Sequence, residues 1–150
     1  MSETGVSELA EAANKGVQVL EFRLGEETYS IDIDYVAEIV DMGDLTEIPN
    51  SPPHVEGVMD LRGRTTSIIN PKTVLNIEDD TRGSRIVVFD PDRTGEQGAV
   101  GWIVDDVYQV VEVDQADVDD PSVADEEAVK GVVKKDDEFV VWLDPDTLHS

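Results

Sequence analysis

The chain contains itself twice, and this repetition constrains its fold more than any other feature. Asp34-Tyr35-Val36-Ala37-Glu38-Ile39-Val40 returns as Asp105-Asp106-Val107-Tyr108-Gln109-Val110-Val111, Val55-Glu56-Gly57-Val58 as Val129-Lys130-Gly131-Val132, and Ile69-Asn70-Pro71-Lys72-Thr73-Val74 as Leu143-Asp144-Pro145-Asp146-Thr147-Leu148. One short apolar match would be coincidence, but three in the same order at a near-constant offset of about seventy residues indicate duplication. Units of that length are whole folding modules rather than solenoid repeats, so the chain reads as two similar half-domains sharing an interface, a shape that binds along the groove between its halves. The copies also differ. After Val58 the first continues Met59-Asp60-Leu61-Arg62-Gly63-Arg64, and after Val132 the second continues Val133-Lys134-Lys135-Asp136-Asp137, so the fold itself does not demand Arg62.

At 150 residues, 39% of them hydrophobic, the chain is long enough for one ordinary core or two half-size barrels. No apolar run reaches the roughly 18 residues that span a bilayer, and Met1 to Gly16 lacks the basic start and apolar centre of a secretory signal, so a cytoplasmic protein is expected. The absence of cysteine excludes disulfides, thiolate catalysis and cysteine-held zinc. Charge is the stronger constraint: 35 acidic against 11 basic residues give a formal net charge of -24. Self-repulsion on that scale is largely removed at about 1 M salt, where the Debye length is about 3 Å, so the composition points to a salt-loving cell such as a halophilic archaeon. Two rival accounts of the acid are a docking surface for a basic partner and a calcium site. Nucleic acid is excluded as a partner, because no stretch supplies the basic face a phosphate backbone requires.

Along the chain, 1–16 reads as a mobile polar tail and 17–150 as one folded domain of two halves, roughly 17–80 and 81–150, with exchange of strands between them left open. Period-two alternation at Val17, Val19 and Phe22 and at Tyr29, Ile31 and Ile33 flanks a hairpin turn at Leu24 to Glu27, with a short helical turn expected near Tyr35. Three prolines make Ile48 to Pro53 a rigid loop. Val55 to Leu61 and Thr65 to Ile69 read as strands joined at Arg62-Gly63-Arg64, where Gly63 supplies a tight turn and sets Arg62 at an exposed bend. A helical turn is expected from Pro71 and another from Pro145 to Leu148, strands at Arg85 to Asp90, Ala99 to Val104, Gly131 to Val133 and Phe139 to Leu143, and an acidic connection from Asp114 to Ala128. Short strands at this spacing predict an all-β fold of small closed barrels.

Sites of chemistry are hard to find. Asp90-Pro91-Asp92-Arg93-Thr94-Gly95 opens like an EF-hand calcium loop, but the twelfth position is Gly101 and the flanks read as strands. His54 and His149 are too few for a zinc site. No nucleophile elbow, phosphate loop or dinucleotide fingerprint is present, and in so acidic a chain a glycosidase-like carboxylate pair carries no specificity. No enzyme activity, cofactor or metal is expected. What remains is Val55-x-Gly57-Val58-x-x-Leu61-Arg62-Gly63: a strand whose Gly57 admits a second backbone, ending in a turn that projects an arginine suited to a protein interface.

Together with Phe22-x-Leu24-Gly25-x-Glu27-x-Tyr29-x-Ile31-x-Ile33, Val36-x-Glu38-Ile39, Ile48-Pro49, Gly101-x-x-Val104-Asp105-x-Val107 and Gly131-Val132, that motif resembles the CheW family of chemotaxis coupling proteins, over about Val17 to Leu148. The resemblance implies two five-stranded, SH3-like β-barrels around separate cores. It also implies a non-catalytic adaptor between the cytoplasmic tips of methyl-accepting chemoreceptors and the regulatory domain of a chemotaxis histidine kinase, cytoplasmic and recruited to membrane-associated receptor arrays without inserting into the membrane. Family contact positions carry over to Val36, Glu38, Gly57, Arg62, Gly63, Gly101, Val107 and Val110. One departure is local: Arg64-Thr65-Thr66-Ser67-Ile68-Ile69-Asn70-Pro71 replaces the family's apolar pair and following Pro-Val-Ile-Asp-Leu. A chain end without catalytic or receiver region favours a free-standing coupler over the kinase's own regulatory domain. The other readings are an SH3-like module for proline-rich peptides, for which the eight aromatics form no evident platform, and a two-carboxylate hydrolase.

Overall fold

A computed structural model of the chain describes residues 16–79, 81, 83–94, 98–114, 117–119, 129–135 and 138–145. Of the segment read as a tail, only Gly16 is among them, and it opens the first strand. The strands are β1 (Gly16–Leu24), β2 (Glu27–Asp32), β3 (Val36–Asp41), β4 (Val55–Leu61), β5 (Arg64–Ile69), β6 (Arg85–Phe89), β7 (Ala99–Val104), β8 (Asp106–Asp114), β9 (Val118–Asp119), β10 (Val129–Lys135) and β11 (Glu138–Leu143). A 3-10 turn at Ile33–Tyr35 and two four-residue helices, α1 (Pro71–Val74) and α2 (Pro91–Thr94), punctuate them. Local chemistry sets these boundaries. Gly25, at φ +65°, turns β1 into β2. Asn70 accepts the Lys72 backbone N–H at 3.0 Å, capping α1, whose first residue is Pro71.

The strands form two sheets, ordered β8-β1-β2-β11-β10-β9 and β3-β6-β7-β5-β4. Neither sheet is confined to 17–80 or to 81–150: β1 and β2 pair with strands of the second half, and β6 and β7 with strands of the first. The exchange is reciprocal, because β1 and β2 occupy in one sheet the places that β6 and β7 occupy in the other. Bulges repeat too. Register shifts between Val36 and Glu38 on β3, opposite β6, and correspondingly between Glu21 and Phe22 where β1 meets β8. It shifts between Val55 and Gly57 on β4, and likewise between Val129 and Gly131 on β10. Each sheet curls into a barrel closed by the chain that follows its edge strand: Thr46 bridges Val58 in the second, and Asp119 pairs with Val132 in the first. The two-residue β9 that does this in the first barrel is the sixth strand, beyond the five the sequence predicts.

Three buried clusters hold the molecule together. Val19, Val113, Val133, Val140 and Trp142 fill the first barrel, and Met59, Ile68, Ile86, Val88 and Ile103 fill the second. Besides these separate cores, a third and larger cluster lies between the sheets: Leu20, Phe22, Leu24, Ile31 and Leu143 from one side, Ile69, Val87, Phe89, Val100, Trp102 and Val104 from the other. Strand β6 therefore buries both faces, Ile86 and Val88 inward and Val87 and Phe89 toward the other sheet, and every residue of β7 is buried. That is why both read as unbroken apolar runs instead of alternating. Trp102, fully buried, meets Phe22 edge-on at a centroid distance of 6.1 Å and Phe89 at 4.8 Å.

Because strands are exchanged and the largest cluster lies between the sheets, neither barrel can open alone. Trp102→Ala should lower stability by about 3–5 kcal/mol, and urea unfolding followed by Trp142 fluorescence in the first barrel should shift by the same amount as backbone circular dichroism.

Candidate protein-docking site

Arg62 and Gly63 form the whole two-residue loop between β4 and β5, and both have positive φ, 54° and 80°. Such loops are favoured in hairpins because their twist matches that of the strands, and they select Asn-Gly or Gly-Gly. Gly63 suits that geometry, and a Cβ there would meet nothing within 4 Å. Arg62 does not suit it: a left-handed non-glycine residue carries about 1–3 kcal/mol of strain. Its side chain is 80% exposed, and its Nη2 lies 3.0 Å from Glu38 Oε1 on β3, which is 30% exposed. An ion pair so open to water contributes about 0–1 kcal/mol, too little to account for the strain.

The other positions divide into two groups. Gly57, at φ +151°, lies where Thr46 crosses β4, and a Cβ there would collide with the Thr46 carbonyl, so this glycine admits the segment that closes the second barrel. Gly101 is buried on β7, where a Cβ would stand 2.8 Å from Ile86 Cγ2 and 3.6 Å from Ile68 Cδ1. Both glycines lie beneath the surface. Val36 and Val107 occupy matching bulge positions, pairing with Phe89 and Phe22, and both are half-buried against the central cluster. Val110 stands out from β8 at 48% exposure, beside equally exposed Tyr108. The structure thus brings Glu38, Arg62 and Gly63 together on the second barrel with Val36 on the same strand as Glu38, and sets Val107 and Val110 on the edge strand of the first.

Sequence reasoning missed a polar knot that joins the barrels. Lys72, 3% exposed, places Nζ 2.9 Å from Asp105 Oδ2 and donates to the Thr81 carbonyl at 2.8 Å. Asp105 Oδ2 also accepts the Gly25 N–H at 2.6 Å, so one carboxylate ties the β1–β2 turn of one sheet to α1 beside the other. Asp105 was visible as the repeat partner of Asp34 and as a position of the family motif but not as a buried ion-pair partner, and nothing local marked Lys72 as buried. The Thr81 backbone N–H, 2.8 Å from Asp79 Oδ1, then the Thr81 hydroxyl and the Lys72 cation hold the Asp79 carboxyl below its ordinary value. On β2, burial and then the charge of Glu27 raise the Tyr29 phenol.

Among the described residues no group of three or more His, Asp or Glu could hold a metal ion, and no helix is long and apolar enough to cross a membrane. Part of the EF-hand-like stretch, most of Asp114 to Ala128, the expected last turn beyond Pro145 and His149 lie outside the described residues.

Residues 18–150 match the family described as CheW-like domain. The chain is 31% identical over 138 residues to chemotaxis protein CheW of Thermotoga maritima, covering 91% of this chain and 89% of that protein. It is 33% identical over 144 residues to the CheW of Treponema pallidum, covering 89% and 82%. A crystal structure of scaffolding protein TtCheW from Thermoanaerobacter tengcongensis superposes with a TM-score of 0.77 at 30% identity, covering 88% of this chain and 91% of that one.

Two measurements check the polar knot. Lys72→Met leaves Asp105 buried without its cation and should destabilise the protein by about 3–5 kcal/mol in urea titrations. Asp79 has a folded pKa below its unfolded value, so its contribution is present above about pH 4 and lost as pH falls through the folded value; Asp79→Asn should unfold less steeply with acid than the parent over that range.

Proposed function

The chain belongs to the CheW family, and from that premise we propose that it joins the cytoplasmic tip of a methyl-accepting chemoreceptor to the regulatory domain of a chemotaxis histidine kinase, with no chemistry of its own. It is an adaptor of chemotaxis signalling. The observation that carries the finer reading is Arg62: a strained, 80%-exposed arginine at a loop whose geometry favours asparagine or glycine. Strain held at a surface turn without a matching internal gain is explained by a contact outside the chain.

An adaptor needs two faces engaged at once, which raises the effective concentration of one partner near the other. One face comprises Arg62, Gly63, Glu38 and Val36 on the second barrel, and the other Val107 and Val110 on β8. Gly57 and Gly101 act on contacts from beneath, by setting how closely the barrel closes. Through the receptor, the protein is recruited to membrane-associated arrays while remaining outside the bilayer.

The test is titration of the folded protein, in concentrated KCl, against the kinase regulatory domain and separately against a receptor tip; absence of binding to both would leave the family assignment and remove this role. Arg62→Asn separates binding from folding. Relief of about 1 kcal/mol of left-handed strain offsets an exposed ion pair of about 0.2–1 kcal/mol. The variant should therefore melt no lower than the parent yet bind at least one partner more weakly, by roughly tenfold or more as expected for an arginine at the centre of an interface.

A further inference from the structure

The chain passes between its two sheets only twice, and the two crossings are built differently. Strands β1, β2 and β8 to β11 lie in one sheet and β3 to β7 in the other, so the crossings are Ile33–Tyr35, after β2, and the single residue Asp105, after β7. The internal repeat makes Asp34 and Asp105 counterparts. Asp34 is exposed, within a 3-10 turn that has no buried residue. Asp105 instead has a side chain only 4% exposed, set against a Lys72 side chain that is also 4% exposed. Passage from sheet to sheet therefore needs no buried charge, since the crossing at Asp34 does without one.

The Asp105 carboxylate is held from both sheets. Lys72 Nζ stands 3.0 Å from its Oδ1 and 2.9 Å from its Oδ2, and also donates to the Thr81 carbonyl at 2.8 Å. Lys72 lies on α1, directly after β5, and so belongs to the sheet that carries the Arg62 hairpin. From the other sheet the Gly25 N–H, in the β1–β2 turn, donates to Oδ2 at 2.6 Å, while the Asp105 N–H donates to the Arg23 carbonyl at 3.0 Å. One residue further on β8 begins, with Val107 and Val110. The pair is a clamp of fixed direction at the pivot from which the β8 face departs.

Removal of one partner from such a pair is costly, yet the pair as a whole adds little net stability, because withdrawing two charges from water offsets their attraction. Attachment of the sheets is already supplied by the cluster around Trp102, whose apolar contacts are non-directional. What the buried pair adds is geometry: the sheets cannot turn on that cluster without stretching charge-assisted hydrogen bonds in a low dielectric. We propose that Lys72 and Asp105 are positioning residues that set the angle between the barrels, and through it the angle between the Arg62 face and the β8 face. The use of that angle to partners rests on the two-face reading given above; the angle itself does not.

Lys72→Met combined with Asp105→Asn removes both charges, keeps both side chains close in size and leaves an amide oxygen for the Gly25 N–H. Residual dipolar couplings of the backbone amides of the full chain, aligned in stretched gel at high salt, are fitted separately for the two sheets. One alignment tensor should fit both sheets of the parent, and the double variant should lose that common tensor and require two. A pair that only stabilised would shift the urea midpoint and leave one tensor in the variant; that result, or a parent that already requires two, overturns the proposal. Failure of the double variant to fold overturns it as well, because the pair would then be a condition of folding and not of angle. Where the parent holds a receptor tip and a kinase regulatory domain together, the variant should bind each alone as the parent does. It should hold both about tenfold more weakly, since a loosened angle lowers the effective concentration of the second partner; unchanged joint binding overturns the positioning role. A parent that binds neither partner removes the adaptor reading, and the couplings still decide the angle.

Discussion

Everything in this structure depends on the packing of Trp102 between Phe22 and Phe89. The two phenylalanines are repeat counterparts, each faces the cluster between the sheets, and each belongs to the sheet that contains the other copy's later strands. A tryptophan wedged between them buries the contact that joins the sheets, so the cluster between the barrels is larger than either barrel's own. Two small barrels that each bury a handful of aliphatic side chains would be marginal as separate units. Reciprocal exchange of β1–β2 for β6–β7 makes them one, and the buried Lys72–Asp105 pair with its bond to the Gly25 turn fixes how they sit.

Once the repeat supplies the fold, differences between the copies mark positions with another purpose. Glu38 and Gln109 are counterparts, yet Glu38 pairs with Arg62 while Gln109, itself exposed, donates to the buried Glu21. Ala37 corresponds to Tyr108, the extra residue of the bulge, which is half exposed. Folding demands none of these substitutions, because the other copy folds without them. The second barrel spends its asymmetry on an arginine projected outward, and the first on a carboxylate drawn inward.

Much of the fold was legible in the sequence because its causes are local. The Leu24 to Glu27 turn, the proline-rich loop and the Arg62-Gly63 bend are each written in residues that permit few alternatives, and the repeat of Val-x-Gly-Val carries the bulge that lets the closing segment cross. The exchange of strands was not legible. Pairing of β2 with β11, or β5 with β7, is parallel and joins residues far apart in sequence, and its only local trace is that β6 and β7 lack alternation. Lys72 was hidden for a related reason: in the second copy its place is taken by Asp146, so the repeat gives no sign of a buried cation there. The left-handed backbone of Arg62 also escaped notice, since arginine is a residue that seldom adopts it and only the paired strands impose it.

The charge of the chain decides what sort of contact the proposed docking faces can make. With a net -24, the long-range field repels acidic partners and attracts basic ones without discriminating among them. That field fades beyond a Debye length of about 8 Å at physiological ionic strength and closer still at higher salt. Discrimination must then come from groups in direct contact. Arg62 is held at the end of a rigid two-residue loop, with part of its charge already answered by Glu38, so a partner must present an acceptor in the right place to gain from it. Tyr108 and Val110 contribute apolar area that salt does not weaken. On the proposed reading, a rigid cation on one barrel and an apolar edge on the other would be two faces that differ in chemistry, and faces that differ in chemistry can select different partners although they arose from one repeated unit.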